Sequence, residues 1–195
     1  MSFLSSDYWS NRYEVGQTGW DLKNISPPLK AYIDQLQNKN LRILIPGAGY
    51  GYEVMYLFQK GFTHVNYLDF SPAPLENFKK NLPEFPEEQL FCEDFFKHTG
   101  AYDLILEQTL FCAIDPELRD YYAKKVNDLL VPGGKLVGLL FNRQFDSGPP
   151  FGGTKEEYMR RFEPYFSICK METCYNSVDA RSGTELFIQL QKSVS

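Results

Sequence analysis

The segment LRILIPGAGYGYEVMYLF, residues 41–58, sets an apolar strand directly before Gly47, Gly49 and Gly51, which run on into a helical pattern. A chain with this order has few folding options. The turn leaving the strand must double back tightly, and its backbone must come so close to a ligand that a Cβ would collide. The ligand then lies at a helix N-terminus, where backbone N–H groups face it. The spacing narrows its identity. In the dinucleotide fingerprint a third small residue falls where this chain has Tyr52, and here the third glycine comes one residue early, at Gly51. A bulky residue at that slot hinders the close helix–strand packing around a pyrophosphate. GxGxG therefore suits a smaller ligand, such as the amino-acid end of S-adenosylmethionine. A glycine-rich turn without a ligand is the alternative reading.

Two acidic residues fall in register with that loop. In HVNYLDFS a second apolar strand ends in Asp69, roughly twenty residues on, the usual offset for a carboxylate that accepts from both ribose hydroxyls. In QLFCEDFF a third short strand ends in Asp94, among Phe91, Phe95 and Phe96. A carboxylate there accepts from an exocyclic amine, and aromatic rings cover an adenine face. Taken singly, Asp69 also reads as an N-cap for a helix opening at Ser71 and Pro72, and Asp94 as a strand-end loop residue. Their shared register with the glycines points to a nucleoside.

The rest of the chain alternates strands and helices. Ser26 as N-cap and Pro27 at the first helical position predict a helix over residues 27–37. The strand over 42–45 leads into a helix that Gly61 stops near residue 60. A strand ending at 69, a helix over 72–81 and strands over 89–92 and 102–107 follow. Asp115 caps a long helix over 116–130, and VPGG turns into a strand over 135–141. Residues 142–153, with SGPPFGG, are too stiff and glycine-rich for an element. A helix over 155–162 and two strands, 166–172 and 185–191, pairing as a hairpin-like edge, complete the pattern. It implies an α/β fold: a Rossmann-like, mainly parallel seven-stranded sheet with helices on both faces. Ligands on such sheets bind at the carboxyl ends of the strands, where Gly47, Asp69, Asp94 and Glu107 fall.

The 195 residues suit one domain spanning 1–195. A net charge of −5, with basic runs no longer than Lys79–Lys80 and Arg160–Arg161, argues against a nucleic-acid partner. The N-terminus lacks the basic start and apolar stretch of a signal peptide, and no apolar run reaches membrane-spanning length. The expectation is a cytoplasmic monomer without membrane contact, acting on a small molecule. Cys92, Cys112, Cys169 and Cys174 lack CxxC spacing and sit in apolar surroundings, which reads as reduced, buried thiols. With His64 and His98 the only histidines, neither a metal site nor a Ser/His hydrolase triad is expected.

Several stretches together resemble a class I S-adenosylmethionine-dependent methyltransferase, more narrowly the thiopurine methyltransferase family with its halide/thiol methyltransferase relatives. The N-terminal YWSNRYEVGQTGWDL is similar to that family's opening segment, and IPGAGYGYEV to its cofactor loop. LEQTLFCAIDPELRDYYAKKVNDLLVPGGKL closely resembles the plant halide/thiol enzymes, and SGPPF matches the GPP loop after the fifth strand. Near position 140 those enzymes carry a pocket tyrosine, whereas this chain has Phe141 and Phe145.

The resemblance implies that Trp9, Tyr13 and Trp20 fold over the cofactor as a lid within residues 1–22. Aromatic faces stabilise a sulfonium by cation–π attraction; packing of an N-terminal helix onto the body is the plainer reading. It further implies that Gly47, Ala48 and Gly49 cradle the methionine moiety and that Asp69 holds the ribose, with Phe70 beside the adenine. Glu93, Asp94 and Phe95 would surround the adenine edge, and Gln108 would approach the cofactor carboxylate or the acceptor. Methyl transfer from a sulfonium releases a neutral thioether, and thiols or halides supply an anion near neutral pH, so neither acid nor dedicated base is required. Catalysis would rest on alignment and a dry pocket. Phe111, Phe141, Phe145 and Phe151 are wall candidates, Phe111 reading equally well as core, and Arg143 could attract an anionic acceptor or sit solvated. Two rival functions are a nicotinamide-dependent oxidoreductase, which lacks a Tyr-x-x-x-Lys or His acid/base pair here, and a non-catalytic S-adenosylmethionine-binding protein.

Overall fold

The computed structural model describes residues 4–194, so the first three residues of the expected lid segment lie outside the described residues. Helix α1 (Ser6–Glu14) and helix α2 (Pro27–Ile33) precede strand β1 (Arg42–Pro46). Helix α3 (Tyr52–Gln59), strand β2 (His64–Asp69), helix α4 (Pro72–Asn81), strand β3 (Leu90–Cys92) and strand β4 (Tyr102–Gln108) follow. Helix α5 (Arg119–Leu129), strand β5 (Leu130–Phe141), helix α6 (Lys155–Phe162), strand β6 (Phe166–Thr173) and strand β7 (Glu185–Lys192) complete the chain.

The strands form one sheet in the order β3-β2-β1-β4-β5-β7-β6. β3 through β5 are parallel, and β7 runs antiparallel between β5 and β6. The apolar runs are explained by burial on both faces. Ile43, Ile45, Val65, Tyr67, Leu104 and Leu106 pack under α2, α3 and α4. The alternate residues Leu44, Leu68 and Ile105 face the side covered by α5 and α6. This is the expected seven-stranded Rossmann-like sheet, with helices on both faces.

Local chemistry shifts some boundaries. α2 ends at Ile33 rather than residue 37, and Ser26, though extended and buried, makes no capping bond. The long helix opens as a 3-10 turn at Pro116–Leu118, with the Asp115 carboxylate accepting from the Glu117 amide at 3.0 Å. β5 begins at Leu130, because VPGG is a bulge inside the strand: β4 pairs Tyr102 with Leu130 and then Leu104 with Lys135. Only Cys112 and Cys174 are buried. Cys92 at the end of the short edge strand β3 and Cys169 on the outer strand β6 are exposed, although all four thiols are free as expected.

The early third glycine has a packing reason. Gly51 caps α3 at φ +75°, and a Cβ there would strike the ring of the fully buried Phe78 on α4. Alanine would bear about 1–2 kcal/mol of left-handed backbone cost plus about 1–3 kcal/mol of overpacking. Gly51→Ala should therefore lower the unfolding free energy by about 2–4 kcal/mol in urea titration. A loss under about 0.5 kcal/mol would mean that α3 and α4 re-seat freely.

Candidate active site

A cavity of about 630 Å³ opens at the carboxyl ends of β1, β2, β3 and β5. Of the glycine loop, Gly47 lines its floor. Gly47 and Gly49 stand at φ +63° and +53°, a region that side chains rarely adopt. Gly49 donates its amide to Asp69 Oδ2 at 3.0 Å and accepts from the Tyr67 hydroxyl at 2.7 Å. A Cβ on Gly49 would sit 2.7 Å from the Tyr13 hydroxyl, so glycine is what lets Tyr13 close onto the loop.

Asp69 ends β2 at 7% exposure. Its Oδ1 accepts from the Ser71 amide at 2.9 Å, so the carboxylate staples the glycine loop to the start of α4. Burial pushes it up to about 6, although the Ser71 and Gly49 amides pull the other way. It is thus not merely a helix cap: Ser71 takes the cap position, without a side-chain capping bond.

The N-terminal segment covers this floor. Ser6 Oγ donates to the Phe70 carbonyl at 2.7 Å. Trp9 and Tyr13 meet Trp20 edge to face at 5.4 and 5.5 Å, and Tyr13 meets Tyr50 at 5.2 Å. Burial, with Asp69 nearby, pushes the Tyr13 phenol well up, so it stays neutral. At the far end, Arg181 in the turn before β7 donates to the Trp20 carbonyl at 2.7 Å. Its guanidinium lies over Phe141 at 5.5 Å, and that of Arg143 over Phe145 at 4.8 Å. The GPP loop is riveted from below: buried Arg119 donates to the carbonyls of Gly152 and Phe151, both at 3.0 Å, and pairs with Glu157.

The cavity gathers most of the residues singled out from the sequence. Trp9, Tyr13, Trp20, Gly47, Asp69 and Phe70 line it, as do Glu93, Asp94 and Phe95, and at the other end Phe141, Arg143 and Phe145. Ala48 and Gln108 line instead a recess of about 50 Å³ that shares Trp20, Gly47 and Thr109 with the main cavity. Gly49 lines neither, because Tyr13 covers it. Phe111 is core, packed among Tyr122, Tyr158 and Phe162. Phe151 acts through its backbone, its amide donating to the Cys112 carbonyl at 2.7 Å while its ring rests on Gly148. Neither ring is a wall of the cavity.

Sequence reasoning missed Arg12, Cys112, Pro149, Pro150 and Arg181, all of which line it. Arg12, Cys112 and the prolines lay within stretches that carried the resemblance, YWSNRYEVG, LFCAI and SGPPF, but were not singled out; Arg181 carried no signal. Burial beside Glu107 pushes the Cys112 thiol up to about 12, so it is a neutral wall and not a nucleophile.

These residues fit S-adenosylmethionine. A Cβ at Gly47 or Gly49 would crowd Leu110 or Tyr13, so the loop backbone can come close to a ligand, the Asp69 carboxylate lines the cavity beside it, and Gln108 Oε1, at the adjoining recess, is buried with no hydrogen-bond partner.

Beneath the site, Glu107 is fully buried, accepting from the Tyr122 hydroxyl and from the Phe111 amide at 2.9 Å. Burial pushes it from 4.5 up to about 7. Its folded value lies above its unfolded one. Its stabilisation is therefore complete below about pH 4.5 and is lost as pH rises through about 7, a change on the order of 3 kcal/mol. Glu107→Gln should flatten the stability–pH curve across that window in urea titrations at pH 5 and pH 8. Equal pH slopes in parent and variant would remove Glu107 as the source.

Comparisons with known proteins agree with this geometry. The family model described as thiopurine S-methyltransferase matches residues 4–188. A probable thiol methyltransferase 2 of Arabidopsis thaliana is 33% identical over 200 residues, covering 99% of this chain and 88% of its own. A thiocyanate methyltransferase 1 of Brassica oleracea is 31% identical, covering 91% and 81%. Among solved structures, the Burkholderia thailandensis 1,6-didemethyltoxoflavin-N1-methyltransferase, with bound 1,6-didemethyltoxoflavin and S-adenosylhomocysteine, superposes with a TM-score of 0.79 at 16% identity, covering 97% of this chain and 88% of that one. A TehB-like methyltransferase of Corynebacterium glutamicum gives 0.68 at 17% identity, covering 96% and 98%. The nicotinamide and non-catalytic readings fall away, and the chain belongs to the thiopurine S-methyltransferase family of S-adenosylmethionine-dependent methyltransferases.

Proposed function

We propose that the acceptor of this methyltransferase is a small, soft anion: a thiolate, thiopurine, halide or thiocyanate. The observation that carries the reading is the charge layout of the cavity. Asp69, Glu93 and Asp94 lie at the ends of β2 and β3, while Arg143 lies beyond β5, on the other side of β1 and β4, with Arg181, paired to Glu185, before β7; Arg12 and Asp115 also line the cavity. Carboxylates suit a cationic, ribose-bearing donor, and guanidiniums suit an anion. The thiol and thiocyanate methyltransferases among the relatives support the same acceptor class.

When bound, S-adenosylmethionine supplies a methyl group on a sulfonium whose leaving group is neutral. The residues of this chain then have three tasks. Asp69, the glycine loop and Gln108 fix the donor's two ends. Arg143 would draw the anion in, Arg181, its charge met by Glu185, would hold Trp20 in place, and Phe141, Phe145, Pro149 and Pro150 would strip the anion's water, which raises its reactivity. Trp9, Tyr13 and Trp20 would act as an aromatic lid over the donor, where aromatic rings stabilise a sulfonium by cation–π attraction. No side chain is needed as base, since a thiol with an ordinary value near 8.5 supplies several per cent thiolate near neutral pH.

Among the described residues no helix is long and apolar enough to cross a membrane. The chain is proposed to work as a cytoplasmic monomer on free small molecules, without nucleic acid. The test is purified protein with labelled S-adenosylmethionine against thiols, thiopurines, halides, thiocyanate and neutral amines. Transfer to the anions supports the proposal; transfer confined to the neutral amines overturns it.

A further inference from the structure

The stretch CEDFFKHTGAYD, from the end of β3 to the start of β4, builds something the methyl-transfer scheme does not use. Asp94 turns the chain, its Oδ1 accepting from the Phe96 amide at 2.9 Å and its carbonyl from the His98 amide at 3.1 Å. This brings His98 back beneath Glu93. The imidazole is 1% exposed, stacks on Tyr102 at 5.8 Å and meets the edge of Phe91 at 4.9 Å. Its Nδ1 lies 2.6 Å from Glu93 Oε1 and its Nε2 2.6 Å from the Tyr102 hydroxyl. A carboxylate only accepts, so Nδ1 must carry the hydrogen; in the neutral ring Nε2 then accepts from Tyr102. Tyr102 is the first residue of β4 and is itself buried. A chain of hydrogen bonds thus runs from the sheet to a carboxylate that is 46% exposed on the cavity wall.

A glutamate that exposed would ordinarily sample several rotamers and lose that freedom when a ligand arrives. Here the freedom is already gone. With Oε1 held by His98, Oε2 remains to accept from a ligand in the cavity that Glu93 lines. We propose that His98 is a positioning residue for the donor: through Glu93 it preorganises the acidic rim that takes the nucleoside end of S-adenosylmethionine. This rests on the functional reading above, in which that rim faces the donor.

Two substitutions separate this role from packing. Asparagine carries its amide nitrogen where histidine has Nδ1 and keeps the donor to Glu93; glutamine reaches only the Nε2 position and keeps Tyr102 instead. Calorimetry with S-adenosylhomocysteine should show His98→Gln binding about tenfold more weakly, equivalent to about 1.4 kcal/mol, and His98→Asn within about threefold of the parent. The loss should appear in KM for S-adenosylmethionine, with kcat changed less than about twofold. It should vanish in a Glu93→Ala background, as a double-mutant cycle requires. Equal losses in the two variants, or a loss that persists without Glu93, would overturn the proposal. If His98→Gln fails to fold, Tyr102→Phe, which releases Nε2 and leaves the ring stacked, takes its place with a smaller loss expected, and unchanged affinity there overturns the proposal. A parent protein that does not bind S-adenosylhomocysteine at all would overturn the functional reading first, and this proposal with it.

Discussion

Replacing Asp69 by alanine should weaken S-adenosylhomocysteine binding at least about 100-fold, because two charge-assisted hydrogen bonds to a ribose are together worth about 3–6 kcal/mol. The same carboxylate holds the Gly49 and Ser71 amides, so the glycine loop loses its staple as well. That adds a stability cost which a surface ligand-binding residue would not show. The cost is partly offset: burial already raises the group to about 6, and removing it relieves that burden. A net destabilisation of about 1–3 kcal/mol is expected. Asp69→Asn keeps one acceptor and should lose about half the affinity in free-energy terms. Since binding needs the ionised form, affinity in the parent should also fall as pH drops through about 6. Calorimetry paired with urea titration checks both effects. If Asp69→Ala binds the ligand like the parent while unfolding earlier, the residue is a loop staple and nothing more.

That double role was only half visible in the sequence. The position of Asp69 was legible because strand ends and helix starts are written locally: an apolar run, then Ser71 and Pro72. The bounds of α4 and α6 were legible for the same reason, with proline or threonine fixing each start. The hydrogen bond from Gly49, twenty positions upstream, depends on how β1 and β2 pair, and no local pattern encodes it. Phe111 and Cys112 make the same point at the acceptor end. Residues 109–115 have no regular period, so nothing in LFCAI tells which neighbour enters the core and which lines the cavity. Arg181 reaches Trp20 across 161 positions, and a lone arginine in a turn announces no such partner. Glu93 was singled out by resemblance, yet the histidine that holds it was set aside as unsuited to metal or hydrolase chemistry.

Deletion of residues 1–22 should abolish methyl transfer while lowering the melting temperature by fewer than about 5 °C, the equivalent of 1–2 kcal/mol in a chain of this size. The expectation rests on how the segment is attached. α1 carries no fully buried residue, its rings being half-buried where it packs beside α4, and among the segment's anchors are the Ser6 bond to Phe70, the Tyr13 approach to Gly49 and the Arg181 bond to Trp20. Leu4 is buried at its leading end, but the core cluster on that side of the sheet begins at Ile25. On the proposed lid reading these half-buried rings lift, because an aromatic cover must open to admit its ligand. Protease should therefore cut within residues 13–19 in the free protein, with S-adenosylhomocysteine protecting the site. A structural segment predicts the opposite pair of results, since truncating large buried aromatics costs about 3–5 kcal/mol each. A melting temperature that collapses on deletion, or cleavage that proceeds equally with and without ligand, would make the segment packing and leave the sulfonium to be covered by something else.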